Sequence, residues 1–193
     1  MKWFRRALFT APVVALMLIA PAVPSQALTQ GLGPLSYHGF EWADDSLENY
    51  WLDSSLTSAM KTGMSNALIT SLDARTDMRV LNEGRYNTGV DVWAVGTTSI
   101  PLNYTNAWAW TGCIKWVSTY VCDQKKVTYN KLKTHPDYWA VGCHELGHAI
   151  GFAHAEPGDN NSSYPTAERT CLRGNPDVRA YSTDNVSKIN AYY

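Results

Sequence analysis

His144-Glu145-Leu146-Gly147-His148-Ala149-Ile150-Gly151-Phe152-Ala153-His154 carries three histidines whose spacing dictates how the surrounding chain must run. On an α-helix His144 and His148 differ by only about 40° in azimuth and roughly 6 Å along the axis, so their rings share one face. Glu145 lies about 100° to one side, clear of that pair but close to whatever the rings enclose. If the helix continued, His154 would sit about 15 Å beyond His144 and point away. The spacing therefore predicts a helix that ends soon after His148 and a chain that turns back sharply. Gly151 permits that turn, because glycine accepts backbone angles that a side chain forbids. Trp139, Cys143, Leu146 and Ile150 fall within about 60° of one another on the opposite face, a stripe expected to pack on a sheet. Upstream, Pro136 and Asp137 make a favourable first turn.

Three imidazoles can fill three corners of a tetrahedral zinc site and leave the fourth to water. In this reading His144, His148 and His154 are metal ligands for one catalytic Zn2+. Glu145 is then a carboxylate that need not ligate and can act as general base. Five fixed positions of this kind arise by chance in about one chain in 10^5 of this length. A structural zinc site is normally closed by a fourth protein ligand and has no need of a free acid. The residues thus point to metal-assisted hydrolysis. The competing readings are a zinc-binding interaction protein without catalysis and a zinc hydrolase of a non-peptide bond.

The pattern His144-Glu145-x-x-His148-x-x-Gly151-x-x-His154 resembles the zinc signature of the metzincin metallopeptidases. Three further stretches resemble a matrixin-like layout. Residues Glu48 to Asp53 resemble the first strand before a long helix, and Val127 to Asn130 the strand before the active-site helix. Residues Ser182 to Tyr192 resemble the short final helix. The resemblance implies a secreted zinc endopeptidase of α+β class. Its fold would be a mixed five-stranded sheet with a long helix, an active-site helix and a small C-terminal subdomain ending in a helix. It also implies that the edge strand of the sheet pairs with the peptide substrate. One departure stands out: the family carries a methionine in a turn beneath the metal, whereas all five methionines here lie upstream of His144. The nearest equivalent is Cys171-Leu172-Arg173-Gly174, with Leu172 as hydrophobic floor. Leucine for methionine is nearly volume-conserving, a swap that usually costs less than about 1.5 kcal/mol. Ala155, after the third histidine, matches no subfamily.

The first 27 residues read as an export signal. Lys2, Arg5 and Arg6 precede an apolar run over 7–20, and Ser25-Gln26-Ala27 places small residues at the cleavage positions. The run is short of the about 20 residues a bilayer span needs. Residues 28–193 then form one catalytic domain, with no membrane span after cleavage. The whole chain has 16 basic and 17 acidic side chains. Without the three leader cations the balance is −4. No basic run occurs, so a nucleic-acid partner is not expected; a protein or peptide substrate and a monomer are. No long propeptide is visible between Ala27 and the first strand.

The four cysteines, Cys113, Cys122, Cys143 and Cys171, all follow the leader. They permit three pairings and lack metal-ribbon spacing. Cys113–Cys122 with Cys143–Cys171 is favoured, the second bond fixing the floor turn to the active-site helix. A helix is expected from an N-cap at Ser54 or Ser55, with Leu56, Met60, Met64, Ala67, Leu68 and Leu72 as its core stripe. Strands are expected at 78–81 and 90–95, and an edge strand around Trp108, Trp110 and Trp116. These tryptophans read first as core or edge packing, or with one lining the cleft. Residues 28–36 read as a flexible arm, and Glu156 to Pro165 as turns. His38 and His135 are expected at the surface. Tyr164 and Tyr181 are the downstream tyrosines that could stabilise an oxyanion. Asn103 and Asn161 head glycosylation triplets. Structural Ca2+ is compatible with such folds, but the sequence shows no acidic cluster that compels it.

Overall fold

A computed structural model describes residues 42–154, 169–173 and 177–193. The leader, the 28–36 arm, His38, Ala155, the 156–165 turns with Asn161 and Tyr164, and Gly174 lie outside them. Among the described residues six strands form one sheet: β1 (Trp42–Ala43), β2 (Leu47–Leu52), β3 (Arg79–Asn82), β4 (Val92–Thr97), β5 (Ala109–Ser118) and β6 (Val121–Asn130). Strands β3, β2, β4 and β6 run side by side and parallel, and β5 closes the far edge antiparallel to β6. The two-residue β1 pairs with the start of β6. The α+β class and mixed sheet are as expected, with one short strand more than the expected five.

Register explains which face is buried. Tyr50 aligns with Val92, and Ala94 with Val127. These four and Tyr129 point together into the core, as the two-residue period of a strand requires. Helix α1 (Ser58–Asn66) and a π-helical continuation (Ala67–Asp73) cover that face. All six residues of the expected stripe are buried.

The helix starts later than Ser54 or Ser55. Thr57 is the N-cap and accepts from the Met60 amide at 3.3 Å. Ser55 is engaged in the preceding turn instead, donating its amide to Asp53 Oδ1 at 2.7 Å and accepting from the Gly96 amide at 3.0 Å. The π-helical winding was not expected. It brings Ser71 inward, where its hydroxyl donates to the Arg179 carbonyl (2.6 Å) and accepts from Trp139 Nε1 (2.9 Å). Both ends of this buried hydroxyl are thereby satisfied.

Helix α2 (Tyr138–Ala149) is capped by Asp137, whose carboxylate accepts from the amides of Trp139 and Ala140. Arg179 Nε pairs with the same carboxylate at 2.6 Å. Burial works against ionisation of Asp137, yet Arg179 and the helix amides hold its pKa below the ordinary value. Of the stripe opposite the histidines, Trp139 meets Ser71 of the π-helical turn and Cys143 bonds Cys171, where a sheet was expected. Helix α2 packs chiefly on α1 and the π-helical turn, and also meets β5 and β6. A Cβ built on Gly63 would overlap the backbone of Tyr138, so small residues set the approach of α1 and α2.

Both favoured disulfides form, Cys113–Cys122 across the β5–β6 hairpin and Cys143–Cys171 beneath α2. Helix α3 (Thr183–Tyr192) begins with a capping box between Ser182 and Asn185. Just beyond it, Tyr193 donates its hydroxyl to the Ile150 carbonyl at 3.0 Å. No helix among the described residues is long and apolar enough to cross a membrane.

Candidate metal centre and cleft

Helix α2 ends as the spacing required. Ile150 is its C-cap, and Gly151 adopts φ 103°, a left-handed conformation that swings the chain back. The Phe152 amide closes the turn on the Gly147 carbonyl at 2.9 Å. His154 thereby returns to the pair on the helix. His144 Nε2 lies 2.9 Å from His154 Nε2 and 3.1 Å from His148 Nε2, and the three ligand nitrogens fall within 4.8 Å of one another. Three nitrogens about 2.0–2.1 Å from one tetrahedral ion stand roughly 3.4 Å apart, close to what is seen.

The outer nitrogens settle which lone pairs face inward. His144 Nδ1 is 2.7 Å from the Cys171 carbonyl, and His148 Nδ1 is 2.6 Å from that of Phe152. A carbonyl can only accept, so each Nδ1 carries the proton and each Nε2 presents a lone pair to the centre. Burial is the largest influence on both rings and disfavours their charged forms. His144 is pushed down to about 4 by burial and by neighbouring His154. His148 is held well below its ordinary value by burial and by His144. His154, at the exposed rim, is lowered by the desolvation it undergoes. Three neutral imidazoles, two of them with oriented outer nitrogens, suit a borderline-soft divalent ion.

Glu145 is 5 % exposed and lines the cleft beside the three rings. Burial lifts its carboxyl to about 7, opposed by a hydrogen bond from Thr111. The cleft encloses about 250 Å³ between α2 and the start of β5. Trp108 and Trp110 both line it, whereas Trp116 does not and is exposed. Trp110 stacks on Tyr104 with ring centroids 4.9 Å apart.

Beneath the helix, Leu172 is fully buried at the expected floor. A Cβ on Gly147 would overlap its Cδ2. Two expectations fail here. Tyr181 does not face the cleft; it is 1 % exposed under α2, and its hydroxyl donates to the Cys143 carbonyl at 3.1 Å. His135 is not at the surface but buried, its ring edge-on to Trp108 at 4.6 Å and its Nδ1 3.0 Å from the Asp137 amide. The sequence reading also missed Thr111 and the two steering carbonyls. The Cys143–Cys171 pairing was the one available signal, since it draws residue 171 toward His144. The fold also assembles an acidic cluster that the linear sequence conceals: oxygens of Asp44, Asp91 and Asp123 lie within 4.8 Å of one another, and Lys115 pairs with Asp123.

No family model matches the chain, and no curated protein does. Among solved structures it is similar to high choriolytic enzyme 1, a hatching enzyme zinc-protease from the medaka fish Oryzias latipes. That likeness has a TM-score of 0.45 and 14% identity, over 79% of this chain and 92% of that one.

Proposed function

We propose that the chain is a secreted zinc-dependent endopeptidase of metzincin type, with an export signal over 1–27 and a catalytic domain over 28–193. One observation carries the reading: three inward-facing imidazole nitrogens lie within 4.8 Å of one another in a cleft that also holds the carboxyl of Glu145. When bound there, a zinc ion supplies Lewis acidity and brings the pKa of a water at its open position to about 7.

The protein groups divide the remaining work. His144, His148 and His154 hold the ion as neutral donors. Glu145 takes a proton from the attacking water and passes it to the leaving amine nitrogen. Burial raises the Glu145 carboxyl above its ordinary value in the metal-free protein, which favours its taking up a proton. Among the described residues β5 has a strand partner on one edge only, β6. Its free backbone groups suit an extended peptide added as a further strand along the cleft. Tyr104, Trp108 and Trp110 would then receive side chains of that peptide.

The test is hydrolysis of a mixed peptide library by metal-loaded protein, with and without a chelator. Chelator-sensitive cleavage is the expected result. Intact peptides would favour a binding protein or a non-peptide hydrolase instead. Glu145→Gln is expected to retain one zinc per chain and lose about 100-fold or more in kcat. His148→Ala is expected to lose both metal and activity. Full activity in Glu145→Gln would remove the general base from the mechanism.

A further inference from the structure

We propose that Thr111 on β5 is a positioning residue for Glu145, holding one carboxyl oxygen so that the other is presented to the reacting proton. This rests on the peptidase reading and adds to it a residue from outside the histidine motif.

The geometry is specific. Thr111 Oγ1 lies 2.8 Å from Glu145 Oε2 and 3.0 Å from the backbone carbonyl of the same residue. A hydroxyl has one proton to give, and the shorter separation is to the carboxyl oxygen. Glu145 projects from a helix and has several rotatable bonds, so a buried wall alone does not fix its carboxyl plane. The threonine supplies that constraint from the facing strand, 34 residues away in sequence. Its own rotamer is restricted by β-branching and by a strand paired at Thr111–Val127. Among the described residues no other side chain bonds the Glu145 carboxyl.

The arrangement works through both proton states. With Glu145 ionised, Thr111 donates to Oε2 and Oε1 is left to accept the proton from water. With that proton on Oε1, Oε2 is still an acceptor and the Thr111 bond persists. When Oε1 returns the proton to the leaving nitrogen, the starting arrangement is restored with no net change in the carboxyl. Should the proton sit on Oε2 instead, the carboxyl donates to Oγ1 and the hydroxyl turns to the Glu145 carbonyl. The two acceptors within reach therefore keep the same contact in either case. Thr111 also joins the substrate-edge strand to the proton-transfer group, so the distance between them is fixed by one bond.

The experiment compares Thr111→Val, which keeps shape and loses the donor, with Thr111→Ser, which keeps the donor. Zinc content, kcat and KM on a fluorogenic peptide, and crystal structures of the variants are measured. In Thr111→Val, zinc should stay at one per chain, kcat should fall about 10- to 100-fold and KM should change less than about 2-fold. Its Glu145 carboxyl should leave the position seen here while the three imidazoles stay in place. Thr111→Ser should recover kcat to within about 3-fold of the parent. An unmoved carboxyl in Thr111→Val, equal losses in both variants, or a loss confined to KM would each overturn the proposal. If the parent protein cleaves no peptide, the peptidase reading fails, while the carboxyl position in the variant structures still decides the role of Thr111.

Discussion

Gly147 sits between two of the site histidines, and Leu172 occupies the space that a side chain there would need. An alanine at 147 gains about 1 kcal/mol of helix propensity but overpacks a buried contact, which costs about 1–3 kcal/mol. Gly147→Ala is therefore expected to lower stability in urea unfolding. In a Leu172→Ala background, itself destabilised by about 2–5 kcal/mol, the same glycine change should cost much less, because the main obstruction is gone and only Tyr181 Cε1, at 3.3 Å, stays close. Simple additivity of the two substitutions would show that Leu172 is not the obstacle. At this scale the histidines and Glu145 were legible because all four lie within eleven residues and helix geometry relates them directly. Thr111 was not legible. Its bond to Glu145 depends on a strand-to-helix distance that only the assembled sheet sets. Tyr181 was misread for the same reason, since its position downstream of the motif says nothing about which side of α2 it occupies.

The crossing of α1 and α2 is where one element places another. Tyr138 backbone abuts Gly63, so an added methyl meets main chain that cannot rotate aside. Gly63→Ala should cost about 2–3 kcal/mol and, by pushing α2 from its seat, lower zinc content as well. Gly112→Ala on β5, where nothing lies within 4 Å of a built Cβ, should stay within about 0.5 kcal/mol of the parent. Thermal unfolding with metal analysis checks both, and equal behaviour of the two variants would refute the close approach. The elements themselves were well marked in the sequence, because Met60, Met64, Leu68 and Leu72 repeat at helical spacing and the strands alternate. Their partners were less so. The stripe on α2 was assigned to a sheet, yet periodicity states only that a face is buried and not against what. The π-helical turn was also hidden, since the residues at four-residue spacing stay buried in either winding.

Among the described residues, a second group of acids with raised pKa, apart from Glu145, lies near the N-terminal ends of β2 and β4. Glu48 is 2 % exposed, and its Oε1 has no partner among the described residues. Burial, then Asp91 and Asp45, hold its pKa well above the usual carboxylate range. Asp91 is pushed up to about 7 by burial, with Asp44 and Asp45 adding to the effect, while the Asn49 amide at 2.7 Å works against it. A carboxyl raised in the folded state binds more protons there than in the unfolded chain, whose value is about 4. Its contribution to stability is therefore full on the acid side and is lost as pH rises from about 4 through about 7. Asp91→Asn keeps an acceptor for the Asn49 amide and removes the titration. Its stability relative to the parent should climb across that window, and a difference independent of pH would exclude the assignment. Residues 44, 91 and 123 are far apart in the chain, and only the parallel pairing of β1 and β4 with β6 brings them together.

The carbonyl that steers His144 belongs to a half-cystine, Cys171, whose sulfur is anchored one residue before that histidine. The orientation of a candidate metal ligand is thus tied to a single sulfur pair. In surroundings that keep thiols reduced, the steering arm would hang slack and the imidazole would lose its aim. Under the proposed zinc reading, an oxidising environment would then be a condition for aiming that ring as well as for closing the bond.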